Sequence, residues 1–147
     1  MMPLKSIEKI IAREGDSMEF EAYGLECRLV RTYGKYWCGY VKVPKDSILS
    51  HKIPYSKGQS GVEERLSEIE VHGGLTYAGD KFKTGDWWYG FDCAHAGDLV
   101  IYPLETGDAT ERSISNGDVY RNKKYVVEEC MKLASQLFDI LNEKQND

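Results

Sequence analysis

Apolar residues recur at different periods along the chain. Leu4, Ile7, Ile10 and Ile11 fall at helical spacing and stop at Gly15, which predicts a short helix or docked arm over residues 1–15. From Met18 the period is two. Met18, Phe20 and Ala22 alternate with Glu19 and Glu21, and Leu25, Cys27 and Leu29 are set against Glu26, Arg28 and Arg31. Both stretches predict strands with one buried and one wet face. Tyr36 to Val43 is rich in aromatic and β-branched residues, predicts a third strand and ends at Pro44. Short connections at Tyr23-Gly24 and Tyr33-Gly34-Lys35 make the three an antiparallel meander.

Residues 44–61 place Pro44, Pro54, Gly58 and Gly61 among serines and lysines. They predict a long surface loop, with a single helical turn near Ser47 to Ser50; such loops serve as lids or as plain connections. His51 in this loop reads as solvated. Val62 to Leu66 is a helical turn. Glu68 to Tyr77 then reads as a strand, with Ile69 and Val71 facing one way, Glu70 and His72 the other, and an interruption at Gly73-Gly74. After a polar turn over Ala78 to Asp86, Trp87 to Asp92 is a further strand. The two are placed to pair as a hairpin with His72 and Asp92 near the same end. Cys93 to Gly97 is loop and Leu99 to Tyr102 a short apolar piece. Glu105 to Gly117 is polar, with turn signals at Gly107-Asp108 and Asn116-Gly117, and reads as irregular with a disordered middle.

The last pattern is helical again. Val126, Cys130, Leu133, Leu137 and Ile140 form one stripe, widened by Val127, Ala134, Phe138 and Leu141. It predicts an amphipathic helix within residues 119–142, capped by Asn122 or Asp118. Its apolar face requires a partner, which the inner face of the sheet supplies. The predicted fold is α+β: a single antiparallel β-sheet with a long C-terminal helix packed across one face, in a single domain spanning 1–147.

Composition narrows the function classes. The chain has 147 residues, 41% hydrophobic and 29% charged, with a formal net charge of -5. That balance disfavours nucleic acid as a partner, because backbone binding needs clustered Lys and Arg. No stretch approaches the apolar length of a membrane span, and no leader-like apolar run opens the chain. The expected location is cytoplasmic, with Cys27, Cys38, Cys93 and Cys130 reduced. A Cys27–Cys38 disulfide across a hairpin is the alternative.

Two of the three histidines fall in a short region crowded with glycines, carboxylates and aromatics. His72 precedes Gly73 and Gly74, whose N–H groups lie bare enough to meet an anion; alternatively it is a strand histidine satisfied by Glu70. Asp92, His95 and Asp98 recur every three residues. In a loop opening from a strand end they converge either as a histidine oriented by a carboxylate or, with His72, as nitrogen and oxygen ligands of a metal. The spacing matches no strong metal signature, so the expectation is no metal and no cofactor. Turn-forming aspartates account for Asp92 and Asp98 without function, but nothing about a turn calls for His95. Cys93 beside them reads as small-residue packing rather than as a nucleophile. Trp87, Trp88, Tyr89 and Phe91 place two aromatics on each face, so one face is an aromatic surface unless something covers it.

The strings Trp37-Cys38-Gly39-Tyr40-Val41, Val71-His72-Gly73-Gly74-Leu75-Thr76-Tyr77 and Trp87-Trp88-Tyr89-Gly90-Phe91-Asp92-Cys93-Ala94-His95-Ala96-Gly97-Asp98 resemble a family of small bacteriophage and prophage proteins. The resemblance runs through Tyr120-Arg121 and Tyr125-Val126 into the last helix. It brings no established activity. It implies a setting, a phage accessory protein inside a bacterial cell, where nucleotide-derived defence signals are sequestered or cleaved.

Three functions follow as expectations. The first is a binding protein that sequesters a nucleotide-like small molecule in a pocket of His72, Gly73, Gly74, Thr76, His95 and Asp98, walled by Tyr77 and Trp88. Arg28, Arg31 and Arg121 are the arginines available to its phosphates. The second is a phosphodiesterase-type hydrolase of such a molecule, with His72 and His95 as acid and base and Asp92 or Asp98 fixing a tautomer. The third is an interaction module or homo-oligomer using the aromatic surface, without a ligand.

Overall fold

The computed structural model describes residues 4–33, 35–54, 61–101 and 108–143. Its elements are α1 (Leu4–Glu14), β1 (Ser17–Ala22), β2 (Leu25–Arg31), β3 (Trp37–Val43), α2 (Val62–Ser67), β4 (Tyr77–Gly79), β5 (Trp87–Asp92), α3 (Asp108–Ser115) and α4 (Lys123–Leu141). The strands form one antiparallel sheet in the order β1-β2-β3-β5-β4. The fold is α+β with the C-terminal helix across the sheet, as the periodicity predicts.

The meander begins with a two-residue turn. Tyr23 and Gly24 both have positive φ, 55° and 76°, the sign that a tight hairpin between right-twisted strands requires. At the sheet's centre, two glycines face two rings across the β3–β5 ladder. Gly39 opposes Phe91 and Gly90 opposes Tyr40. A Cβ on Gly39 would lie 2.5 Å from the Phe91 ring, and one on Gly90 would lie 2.4 Å from that of Tyr40. Each ring lies over the bare backbone opposite, which compensates for the missing side chain.

One sheet face carries Cys27, Leu29, Trp37, Val41, Tyr89 and Phe91, and α4 covers it with Val126, Cys130, Leu133, Ala134, Leu137 and Ile140. Asn122 caps α4 by accepting from the Tyr125 N–H. Asp118 does not cap it: its carboxylate accepts from the Ser113 hydroxyl in α3. Phe138 is 39% exposed, outside the buried stripe, and packs on Tyr23 instead. The opposite face is also covered. Tyr40, Trp88 and Cys38 form a second cluster with Tyr77 and Phe82. Arg28 stacks over both Phe82 and Trp88. A third cluster joins α1, α3 and Leu99 through Ile7, Ile11 and Ile114.

Several expectations are corrected. Residues 68–76 are not a strand; the strand is only Tyr77–Gly79. The preceding segment runs along α4 and is held by that helix's side chains. Gln136 bonds both the N–H and the C=O of Glu70, at 2.9 and 2.8 Å, and Glu129 accepts from the His72 N–H at 2.8 Å. Helix amide and carboxylate groups replace a ladder, so the alternation of Ile69 and Val71 reflects burial beside a helix. Residues 108–115, expected to be irregular, form α3, because Thr110 and Ile114 are buried. Asn116-Gly117 then stops it, with Gly117 at φ 86°. Glu105 to Gly107 and Tyr102-Pro103 lie outside the described residues.

Of the 44–61 loop, residues 55–60 also lie outside them. Residues 44–54 form successive turns anchored from below, since the buried Tyr89 hydroxyl donates to the carbonyls of Leu49 and Lys52. His51 is exposed, as expected of a loop histidine, and its ring also lies 4.7 Å from that of Trp87. The Cys27–Cys38 disulfide is excluded by register. Cys27 opposes Val41 and Cys38 opposes Val30, on opposite faces. All four thiols are free and buried; Cys27 donates to the Leu25 carbonyl and Cys130 of α4 to that of Tyr40.

A buried polar hub ties the N-terminus to this scaffold. The Glu14 carboxylate accepts from the Arg31 guanidinium, the Trp37 indole, the Tyr120 hydroxyl and the Lys123 N–H. Arg31 also donates to the carbonyls of Gly15 and Lys35.

Candidate functional site

The site lies where the β5 loop, the β4 lead-in and the start of α4 meet. Its centre is Asp98, whose side chain is wholly buried. One carboxylate oxygen accepts from His72 Nε2 at 2.8 Å and from the His95 N–H at 3.0 Å; the other accepts from Arg121 Nε at 2.7 Å. Burial would raise the pKa of this carboxyl, but the bonds from His72, Arg121 and the His95 N–H outweigh it and hold it below its ordinary value. Asp98 is therefore an anion, and a carboxylate is acceptor-only, so His72 Nε2 carries a hydrogen.

That fixes the other side of the ring. With a neutral imidazole, His72 Nδ1 accepts the hydroxyl hydrogen of Tyr125, 2.7 Å away. The result is a hydroxyl–imidazole–carboxylate chain, the order used to move a proton toward or away from a hydroxyl. Burial, with the charge of Glu129 behind it, pushes the Tyr125 phenol up, so the group stays protonated at neutral pH.

His95 stands beside this chain. Its ring centroid is 6.0 Å from that of His72, with an interplanar angle of 65°. Its Nε2 lies 3.1 Å from Asp92 Oδ1, off the line a hydrogen bond needs, and is buried without another partner. Asp92 Oδ1 also accepts from the Ala94 N–H, and Oδ2 from the Thr76 hydroxyl at 3.1 Å. The His95 side chain is 34% exposed against 13% for His72. His95 is thus the histidine facing solvent.

Gly73 makes this arrangement feasible. It has φ 70°, and a Cβ there would sit 2.2 Å from the His95 ring. The imidazole lies directly on the bare backbone. Gly74, also at positive φ, has its N–H bonded to the Val71 carbonyl at 2.7 Å and does not offer it to a ligand.

The expected residues therefore divide. His72, Gly73, Thr76, Asp92, His95 and Asp98 come together. Trp88 and Tyr77 do not wall the site, because both belong to the cluster on the sheet face away from α4. Trp88 is 1% exposed, beneath Phe82 and Arg28, and Tyr77 packs edge-on against Tyr40. Cys93 is buried in the main core, and burial pushes its thiol up strongly, as packing requires and nucleophilicity does not. Tyr125 is the addition, and Arg121 is the one of the three candidate arginines that reaches Asp98. Tyr125 sits on the first turn of α4, where periodicity assigns it neither to the stripe nor to a role. For the metal alternative, no group of three or more His, Cys, Asp or Glu among the described residues is arranged to hold an ion. No helix among the described residues is long and apolar enough to cross a membrane.

No protein-family model matches the chain, and no curated protein and no solved structure is significantly similar to it.

Proposed function

We propose that the chain is a hydrolase of a nucleotide-derived small molecule, cleaving a phosphoester bond by paired acid–base chemistry at His72 and His95. The observation that carries this reading is the contact of two imidazoles, centroids 6.0 Å apart, one hydrogen-bonded to Asp98 and the other with Nε2 3.1 Å from Asp92. A structural histidine is satisfied by one partner and needs no second histidine beside it. Acid–base catalysis of hydrolysis needs one group to take a proton from water and another to give one to the leaving oxygen.

The roles differ by exposure. His95, backed by Asp92, takes the proton of the attacking water through Nδ1, which has no partner among the described residues. The water oxygen bonds to phosphorus as the ester P–O bond breaks. His72 enters this step in its charged form, with a hydrogen on Nδ1. The leaving oxygen takes the Tyr125 hydroxyl proton as the Nδ1 hydrogen passes to the Tyr125 oxygen, which leaves His72 neutral and His95 protonated until both exchange with solvent. Asp98 holds the His72 ring in place and stabilises its charged form. In the phage setting that the motifs resemble, the substrate is a bacterial defence signal.

Sequestration without cleavage loses its main support once Trp88 and Tyr77 lie in another cluster, since base stacking requires exposed aromatic faces. The deciding experiment is to incubate the chain with cyclic and ADP-ribose-derived nucleotides, denature it and identify what is released. Altered nucleotide supports hydrolysis. Intact nucleotide released on denaturation supports sequestration, and no depletion of any member leaves the interaction reading. A His95→Ala chain should keep binding and lose turnover.

A further inference from the structure

We infer that Arg121 is the anion-binding residue of the histidine rim, its two terminal nitrogens receiving phosphoryl oxygens. This rests on the hydrolase reading for its substrate class, and on the geometry of the arginines for its assignment.

Three arginines compete for the role. Arg31 has a side chain 2% exposed, and its nitrogens are taken by Gly15, Lys35, Tyr120 and Glu14. Arg28 lies flat over Phe82 and Trp88, 4.6 and 5.0 Å from the two ring centroids, and pairs with Glu19 and Glu26. Neither is free to turn to a ligand at the histidines. Arg121 differs. Its Nε is held by Asp98 Oδ1 at 2.7 Å, its side chain is 26% exposed, and its terminal nitrogens have no partner among the described residues.

Its posture suits a phosphoryl group. A guanidinium is planar, so fixing Nε against a buried carboxylate fixes the direction of its outer edge. The ring of Tyr125, 5.3 Å from the guanidinium carbon, supports it from the side. Two outward N–H groups in one plane match two oxygens of a phosphate. The Asp98–Arg121 pair is formally neutral, so a phosphoryl group would be met by the two outward N–H groups of the fork rather than by net positive charge. The anion is thereby placed next to the Tyr125 hydroxyl and His72, the groups assigned to protonate the leaving oxygen. The net acidity of the chain is then no obstacle, because one oriented fork replaces a basic patch.

The test uses the full chain with arginine side chains labelled with nitrogen-15, titrated with inorganic pyrophosphate. The Arg121 Nε signal should move saturably while that of Arg31 stays still. Arg121→Lys keeps a charge but loses the fork, and should weaken pyrophosphate at least tenfold; Arg28→Gln should leave it unchanged. Absence of saturable binding, an Arg121 signal that does not respond, or an Arg121→Lys chain that binds like the parent overturns the inference. The unmodified chain decides the question even if the variant folds poorly. Pyrophosphate bound at Arg121 with no nucleotide turned over would sink hydrolysis and leave this assignment standing. Turnover with an unchanged KM in Arg121→Lys would do the reverse.

Discussion

The backbone of Gly73 supports the imidazole of His95 so closely that a Cβ would fall 2.2 Å from the ring. Gly73→Ala must therefore displace His95, and it also places a side chain at φ 70°, a strain of about 1–2 kcal/mol. The expected result is a folded chain slightly easier to unfold in urea, with turnover largely lost. Near-parent turnover in Gly73→Ala would show that His95 need not occupy this position.

Tyr125→Phe removes one oxygen and keeps the ring beside Arg121 and His72. If the hydroxyl delivers the proton to the leaving group, kcat should fall by about 10²–10⁴-fold with little change in KM. Stability should drop by only about 1 kcal/mol for one lost hydrogen bond. A variant with parent kcat assigns Tyr125 to packing alone.

Asp98→Ala leaves Arg121 and His72 without their buried partner and should cost about 3–5 kcal/mol, the usual result of breaking such a pair. The pH dependence follows in sign. A carboxyl held below its ordinary value of 3.8 stabilises the fold fully above that value, and the contribution disappears as pH falls through the lowered one. Urea unfolding of parent and variant should therefore differ most at neutral pH and converge in acid. A constant difference down to strongly acidic pH would contradict the charged state assigned to Asp98.

Phe82 covers Trp88 on the outer sheet face. Phe82→Ala should uncover the indole and shift its fluorescence to longer wavelength, at a stability cost of about 2–3 kcal/mol. Turnover should be unchanged, because this cluster is separate from the histidines. Loss of activity in that variant would restore Trp88 to the site.

Glu14→Gln tests the hub. The buried Arg31 would lose its main counter-charge, at a cost of about 3 kcal/mol, which for a chain of this size lowers Tm by roughly 10 °C. Differential scanning calorimetry measures this directly.

Where side chains repeat with a clean period, the sequence predicts the structure well. The meander, β5 and α4 are visible because burial on one face imposes alternation or a stripe. Residues 68–76 mislead for a physical reason: Ile69 and Val71 alternate as in a strand, but the groups that satisfy this backbone are Gln136 and Glu129, more than fifty residues away. The site is legible as a crowd of unusual residues, and His72, Asp92, His95 and Asp98 do meet. Which aspartate serves which histidine is not legible, because that depends on how the loop folds back. Tyr125 is hidden for the same reason, and Arg121 is legible only as one of three candidate arginines. Trp88 looks like a ligand wall because a strand pattern shows which face a ring occupies, and not what lies on top of it.

Four residues from Val119 to Lys123, at the entry to α4, alternate between two duties. Val119 bridges to Gly97 and Leu99, Arg121 reaches Asp98, and between and after them Tyr120 and the Lys123 N–H reach Glu14 at the end of α1. The site and the N-terminal helix thus hang from a single strand of covalent chain, read from opposite sides. A chain shortened by removal of α1 would keep every residue of the rim and most of the central core, yet lose the clamp that sets the reach of Arg121. Trimming at this end, which sequence distance would recommend as harmless, is the cut that should blur the geometry around Asp98 first.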